Sequence, residues 1–482
     1  MLKNFLCITL TMSLCLTPLP LVYNKTLASE KALSIEKEAY TSPIAGENSI
    51  STLEKISIGG VDQWITIRGQ DLNNPIFLYL HGGPGHGEIN SNPRFKELEK
   101  RYVVVNWEQR GSGKSFSPHL PVESLNVEQY LSDTHEMVEY IKNRFKRDKI
   151  YLVGHSWGSL LGMIEISRHP DSFYAYVGVG QFVDVTKADQ IGYDYTLYKA
   201  KELGHQAAID ELKTIGRPPY DSFNTFLRFR KWLAPMGGIF FSPTYIQEVM
   251  IPDIMNATEY THDEKGQYEL SEELLLTKIV PELPKYNLLH MIHEVKVPVY
   301  FVAGKHDYNT PLQLVEQFNS QLVAPHKEVV VFENSGHAPN YEEELQFADL
   351  MNEHIFHQTY YSPNSSKSVK VVLNDHQMEW TPAIHNGQLM LPLRKTLEAL
   401  GGTITWEEST NTIMVTYNQL IIFFQQDAAV AKVNGKEIGF SKAVLLLEDS
   451  SYLSVEALLK TIQLHASWDP ALNELILTST TN

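Results

Sequence analysis

The stretch that most constrains this 482-residue chain is Gly154-His155-Ser156-Trp157-Gly158. It follows an apolar run, Lys149-Ile150-Tyr151-Leu152-Val153, and opens a helix-like segment from Ser159 to Arg168. A strand, a Gly-x-Ser-x-Gly turn and a helix make a nucleophile elbow. The turn is too tight for side chains at its flanks, hence the glycines, and it holds the serine in a strained backbone conformation. That strain lifts the hydroxyl above a sheet edge, where a base can reach it. Ser156 is the candidate nucleophile; the plain alternative is an ordinary turn serine.

A serine nucleophile needs a base, an orienting acid and donors for the oxyanion. On the fold with this elbow the partners follow in the order Ser, acid, His. Asp307 lies in Gly304-Lys305-His306-Asp307, just after an apolar run ending at Val302. His337 lies in Ser335-Gly336-His337-Ala338-Pro339, after the next such run. Both are expected at the carboxyl ends of neighbouring strands, on the same rim as Ser156, where open α/β sheets place their sites. His337 is the expected base and Asp307 the residue that fixes its tautomer. His306, His293 and His326 are the other candidates, but none sits in a Gly-His turn directly after a strand.

His81-Gly82-Gly83-Pro84-Gly85 follows a further apolar run. Its glycines allow a backbone N–H, that of Gly83, to face a developing negative charge. The N–H of Trp157 is the other expected oxyanion donor. A plain Gly/Pro turn is the alternative. Asn106-Trp107-Glu108-Gln109-Arg110-Gly111-Ser112-Gly113-Lys114-Ser115 imitates the end of a phosphate loop, but Glu108 stands where the first glycine belongs and its charge would repel phosphate. An ion pair between Glu108 and Arg110 near the site is the expectation.

Strands alternate with helices from Ile56 onward. Trp64–Ile67, Ile76–Leu80, Tyr102–Val105, Val297–Val302 and Glu328–Phe332 read as strands, two of them near-continuously apolar, as strands buried on both faces are. Residues 126–146 carry Val127, Tyr130, Leu131, Thr134, Met137, Val138, Ile141 and Phe145 on one helical face. Pro311–Leu322 and Glu342–His357 read as later helices. This alternation predicts an α/β fold with a mostly parallel sheet. It breaks over about 181–292, an aromatic stretch with helix-like segments at Tyr193–Leu203, Ala207–Ile215 and Ser222–Leu233, too long for a structureless loop. A helical cap inserted over the sheet is expected there.

The expected divisions are a signal peptide at 1–28, a leader at 29–50, the α/β domain at 51–358, a polar linker at 359–368 and a small α+β domain at 369–482. The last is built from two repeats. Leu391-Pro392-Leu393 matches Leu453-Ser454-Val455, Trp406 matches Trp468, and Asn411 matches Asn473, each 62 residues on. Each unit reads as a hairpin around an Asn-Asp or Asn-Gly turn, a helix, then a second hairpin.

Lys3, the apolar run Phe5–Val22 and the small residues Thr26-Leu27-Ala28 form the signal; Pro18, Pro20 and the short core argue against a membrane anchor. The only two cysteines, Cys7 and Cys15, fall inside it, so the mature chain has no disulfide and no thiol nucleophile. Export without disulfides fits a bacterial protein, secreted or held at the cell surface. The net charge of −17 gives no footprint for nucleic acid.

Together the motifs resemble the α/β-hydrolase superfamily, and within it the proline iminopeptidase (prolyl aminopeptidase) group. His81-Gly82-Gly83-Pro84-Gly85, Gln109-Arg110-Gly111-Ser112-Gly113-Lys114-Ser115, Gly154–Ser159, Asp307 and Gly336-His337 fall in that group's order. The resemblance implies a serine peptidase that releases N-terminal residues, often proline, from short peptides; an esterase or other acyl hydrolase on the same triad is the alternative. The chain departs from the group in having Glu108 for an aspartate and in lacking a Trp-x-x-Trp-Glu segment, whose acid binds the substrate amine. Glu202, Glu211, Glu248 and Asp253 are the cap acids that could replace it. Residues 369–482 resemble the N-terminal-type domain of copper amine oxidases at Asn374, Asn386-Gly387, Leu391-Pro392-Leu393-Arg394, Leu400-Gly401 and Trp406-Glu407. No His-x-His pair is present, so no copper, other metal or cofactor is expected. The implied role is accessory, in surface attachment, stability or partner contact, with a passive spacer as the alternative.

Overall fold

The apolar runs form the middle of one twisted sheet. The computed structural model describes residues 38–482 except 221, 361–368, 386–387, 408–409, 411, 426–429, 441–443, 448–449, 463, 470–471 and 480–482. The expected signal peptide, the first part of the leader, most of the linker, Asn386-Gly387 and Asn411 lie outside the described residues.

The sheet contains β1 (Ile50–Ile58), β2 (Val61–Gly69), β3 (Ile76–Leu80), β4 (Val103–Glu108), β5 (Ile150–His155), β6 (Phe173–Val179), β7 (Val299–Gly304) and β8 (Lys327–Phe332), in the order β1-β2-β4-β3-β5-β6-β7-β8. β1 and β2 pair antiparallel, as do β2 and β4; every later pair is parallel. β3, β4, β5 and β7 are buried along their whole length, which accounts for the near-continuous apolar runs at Ile76–Leu80 and Tyr102–Val105. β1 was not legible in full. Its half-exposed residues alternate too weakly to separate it from the leader.

Helix α1 (Val127–Phe145) buries the predicted face, starts where Asn126 Oδ1 accepts from the Gln129 N–H at 3.0 Å, and stops at Lys146 with φ 52°. Helix α2 (Trp157–Arg168) follows the elbow and is buried on nearly all sides. Between β6 and β7 the chain forms α3 (Val185–Glu202), α4 (Gln206–Ile215), α5 (Phe223–Leu233), α6 (Ile251–Asn256), α7 (His262–Ile279) and α8 (Leu288–Met291). These helices are the inserted cap. Asp184, Ser222 and Thr261 cap α3, α5 and α7, the last with Glu264 in a reciprocal capping box.

After α9 (Leu312–Gln321) the expected single helix over 342–357 is broken into α10 (Pro339–Glu342), α11 (Glu344–Asp349), a π-helical turn (Leu350–Ile355) and α12 (Phe356–Thr359). The break has a polar cause. Glu342 Oε1 accepts from the Gly336 N–H at 2.8 Å, and Glu343 Oε2 accepts from Ser335 Oγ at 2.6 Å. Both carboxylates turn back onto the loop that carries His337 instead of continuing a helical face.

The first compact unit closes at Ala348 and the second opens at Asp349. In the second, β9 (Lys370–Leu373), β10 (His376–Gln377), β11 (Ala383–His385), β12 (Gln388–Pro392), α13 (Leu393–Ala399), β13 (Thr403–Glu407) and β14 (Thr412–Tyr417) make one repeat. After β15 (Leu420–Gln425), the series recurs as β16 (Val430–Val433), β17 (Lys436–Gly439), β18 (Val444–Leu447), β19 (Ser450–Ser454), α14 (Val455–Ile462), β20 (Leu464–Asp469) and β21 (Glu474–Ser479). Each repeat holds one hairpin more than expected, β11–β12 and β18–β19, placed before its helix. The copies meet through β12 and β19, where Leu391 pairs with Leu453, its own counterpart.

Candidate active site

Ser156 sits between β5 and α2 with φ 52° and ψ −115°, a conformation that costs a non-glycine residue about 1–3 kcal/mol. The glycines around it are enforced by contact. A Cβ on Gly154 would lie 2.4 Å from the Gly158 carbonyl oxygen, and one on Gly158 would lie 2.1 Å from that of Leu80. The elbow therefore presses against the end of β3, and brings the His81–Gly85 loop beside the serine.

The other two residues come from the neighbouring strand ends. Asp307 follows β7 and His337 follows β8. His337 Nε2 is 2.8 Å from Ser156 Oγ, and His337 Nδ1 is 2.8 Å from Asp307 Oδ2. The Asp307 carboxylate is held from both sides: Oδ1 accepts from the N–H groups of Asn309 and Thr310 at 2.7 and 2.8 Å, and Oδ2 from Thr310 Oγ1 at 2.7 Å. Asp307 is 3% exposed and His337 7%. Burial pulls the His337 pKa below the usual imidazole value, against the opposing pull of Asp307. A neutral imidazole with Nδ1–H given to Asp307 makes Nε2 the acceptor that faces Ser156 Oγ.

Trp157 is the first residue of α2, so its N–H has no acceptor inside the helix. Gly83, at φ 118°, borders the same pocket beside Ser156. Gln109 ties these two loops together. Its Oε1 accepts from Trp157 Nε1 at 2.9 Å, its Nε2 donates to the His81 carbonyl at 3.1 Å, and its backbone N–H donates to His81 Nε2 at 3.1 Å. Burial lowers the His81 pKa to about 4, consistent with a neutral ring that accepts there.

The fold and this strand-end geometry agree with a family model for the alpha/beta hydrolase fold, which matches residues 75–344. The chain is an α/β hydrolase. A second model, the copper amine oxidase N-terminal domain, matches residues 371–477. The hydrolase is 31% identical over 318 residues to the probable aminopeptidase YbaC of Bacillus subtilis (strain 168), covering 65% of this chain and 99% of YbaC. It is 22% identical over 310 residues to a proline iminopeptidase of Lactobacillus delbrueckii subsp. bulgaricus, covering 64% of this chain and 98% of that one. A solved proline iminopeptidase of Mycobacterium smegmatis aligns at a TM-score of 0.48 and 16% identity, over 62% of this chain and 96% of that one. By the two sequence relatives, the hydrolase is similar to aminopeptidases of the proline iminopeptidase kind.

The expected pair of Glu108 with Arg110 does not form. Arg110 reaches α1 instead, with Nε and Nη2 at 2.8 and 2.9 Å from the two Asp133 oxygens. Glu108 accepts from the Lys114 N–H and from Tyr260 Oη, and burial raises its pKa to about 7. Asp133 lies 23 residues from Arg110 and Tyr260 lies 152 from Glu108, so local spacing did not reveal these partners.

The pocket over Ser156 has a volume of about 140 Å³ and mainly apolar walls, including Val183, Phe226, Phe240, Leu276 and Leu314. An apolar cavity of about 150 Å³ takes up benzene, so the space is scaled to one side chain. Of the four cap acids named from the sequence, only Asp253 borders it, and Arg94 Nη2 holds that carboxylate at 2.6 Å. Glu211 is bound by Arg228, Lys231 and Trp232; Glu202 pairs with Lys199 at 3.0 Å; Glu248 accepts from Thr244 Oγ1 at 2.8 Å.

Among the pocket residues that sequence reasoning missed, three stand close to the site. Asn309 Nδ2 lies 2.8 Å from His337 Nε2, and its Oδ1 accepts from Arg230 of the cap. Arg230 also lies 3.4 Å from Asp189, whose pKa burial raises to about 6. The third is Glu88, the lone acid just beyond the His81–Gly85 loop; its place in that glycine-rich run was the available signal. Among the described residues, one group of three side chains has metal-ligand character: His135, Glu165 and His169, with ligand atoms within 4.8 Å of one another. They stand on α1 and at the far end of α2, away from Ser156.

Proposed function

We propose that this α/β hydrolase is a secreted serine aminopeptidase that releases N-terminal residues from small peptides. The reading rests on the continuous contact from Ser156 Oγ to His337 Nε2, 2.8 Å, and from His337 Nδ1 to Asp307 Oδ2, 2.8 Å. Ser156 Oγ attacks the carbonyl carbon of the first residue while His337 Nε2 takes its proton. The N–H groups of Trp157 and Gly83 receive the oxyanion, each typically worth about 10²–10³ in turnover. Collapse breaks the C–N bond, and His337 gives its proton to the departing amine. Water then adds to the acyl-serine ester with His337 again as base, and Ser156 leaves protonated beside a free amino acid. Asp307 holds the ring and balances the imidazolium throughout.

Similarity to a probable aminopeptidase over 99% of that relative's length supports peptide over ester as the natural substrate. A pocket sized for one side chain supports release of single residues. Export is read from Lys3, the Phe5–Val22 run and Ala28 alone; no helix among the described residues is long and apolar enough to cross a membrane. The same proposal gives the second unit an accessory role in cell-surface contact. One face of its β13–β17 sheet exposes Met414 and Phe423.

The test is covalent labelling by a fluorophosphonate together with hydrolysis of alanine and proline arylamides. Labelling should vanish in Ser156→Ala and turnover fall by about 10⁴–10⁶. N-acetylation of the arylamides should abolish cleavage. Turnover of 4-nitrophenyl esters without any arylamide cleavage would instead make the protein an esterase. Material recovered from a bacterial culture medium should begin at Ser29.

A further inference from the structure

Glu88 lies on the pocket wall with its side chain 3% exposed. Its Oε2 accepts from Tyr341 Oη at 2.6 Å, and Tyr341 in turn meets Tyr79 Oη at 2.9 Å. Its Oε1 faces His155 Nδ1 at 3.6 Å, beyond hydrogen-bond length. No lysine or arginine pairs with Glu88 among the described residues. Arg94, a cation on the same pocket wall, is taken by Asp253 and Glu344 at 2.6 and 3.0 Å. His86, also on the wall, has Glu272 as its carboxylate partner at 3.6 Å.

His155 completes the arrangement. It is the residue just before Ser156. Its Nε2 lies 3.0 Å from the His337 carbonyl, which can only accept, so Nε2 carries the proton. In the neutral ring Nδ1 is then an acceptor. That atom is buried, and no hydrogen-bond partner reaches it. Two acceptors, a carboxylate oxygen and a ring nitrogen, therefore face each other along the wall next to the nucleophile. A group with several N–H donors and a positive charge satisfies both at once.

We propose that Glu88, with His155 Nδ1, anchors the α-ammonium group of the substrate's N-terminal residue. The position suits this role. A Cβ on Gly82 would lie 3.0 Å from His155 Nδ1 and 3.4 Å from Ser156 Cβ, so the anchor and the nucleophile flank one loop. In a bound peptide the α-nitrogen is one bond removed from the carbonyl carbon's neighbour. An ammonium held here places that carbonyl over Ser156 and leaves the side chain to the apolar walls. The substrate class is then a free N-terminal residue with a small, uncharged side chain. The anchor comes from the loop after β3, and none of the cap acids named from the sequence is needed for it.

This inference rests on the aminopeptidase reading, and the experiment separates the two. L-alanyl and propionyl benzyl thioesters differ only in the α-ammonium group, so the ratio of their kcat/KM values reports its recognition. The ratio also cancels any general loss from misfolding. The wild-type ratio should be large, and in Glu88→Gln it should fall about 10–100-fold, mainly through KM. Glu88→Asp, which keeps the charge, should retain part of it. A purely structural Glu88 would depress both substrates equally and leave the ratio intact, which overturns the anchor but not the aminopeptidase reading. A wild-type enzyme with a ratio near unity overturns both.

Discussion

Adding one methyl group at Gly304, the last residue of β7, should disable the site without touching a reacting atom. A Cβ there would lie 1.8 Å from the Gly336 carbonyl oxygen and 2.5 Å from that of Ser335, where ordinary contact begins at 3.4 Å. Backbone atoms stand in the way, and they cannot swing aside as a long side chain can. The loop bearing Asp307 and the loop bearing His337 must part by about 1.5 Å, an overpacking that typically costs ~1–3 kcal/mol. The same movement stretches the 2.8 Å contact between Asp307 and His337. A misplacement of about 1 Å can cost ~100-fold in rate. Gly304→Ala should therefore lower the second-order rate of fluorophosphonate labelling at Ser156 by about that factor, and lower the melting temperature by several degrees. Gly266→Ala is the matched control. Gly266 lies inside α7 with nothing within 4 Å of its added Cβ. The identical chemical change there should stabilise by about 0.5–1 kcal/mol. Wild-type labelling and an unshifted melt for Gly304→Ala would refute the claim that these loops touch.

The remaining predictions concern protons. Because the His337 pKa is lowered, its neutral form persists below the usual 6.5. The acid limb of kcat/KM should fall as pH drops through a midpoint below that value, and a midpoint above it would contradict the buried, neutral ring. Glu108 has a folded pKa of about 7 against 4.5 when free. The folded chain thus holds this proton more tightly than the unfolded one. Its contribution is full below the free value and is lost as pH rises through the folded value, amounting to about 3 kcal/mol across the window. Glu108→Gln should flatten that decline by a similar amount in denaturant unfolding of the hydrolase unit at pH 5 and pH 8; equal slopes for both proteins would count against a protonated Glu108.

What could be read from the sequence was what local spacing encodes. Ser156, Asp307 and His337 each follow an apolar strand inside a short motif, and a parallel sheet brings such strand ends to one rim. The position of α1 followed from the apolar periodicity of residues 126–146, and that of the inserted cap from the break in the strand–helix alternation. The rest depended on partners from distant segments. Arg110 turned to Asp133, not Glu108, because α1 presents that carboxylate at bidentate distance. Glu88 takes its meaning from Tyr341, 253 residues later. Asn309 takes its from Arg230 on the cap. The helix expected over 342–357 broke because Glu342 and Glu343 serve the His337 loop, a demand that no helical pattern records.

The meeting of Leu391 with Leu453 sets twin positions of the duplicated half-domains shoulder to shoulder. Neither half is a finished object. Cut between them, β12 and β19 would each bare a row of amide and carbonyl groups, the kind of edge that recruits foreign chains. Each half thus covers the other's open edge, and a change at one of these facing positions is felt first by its own twin.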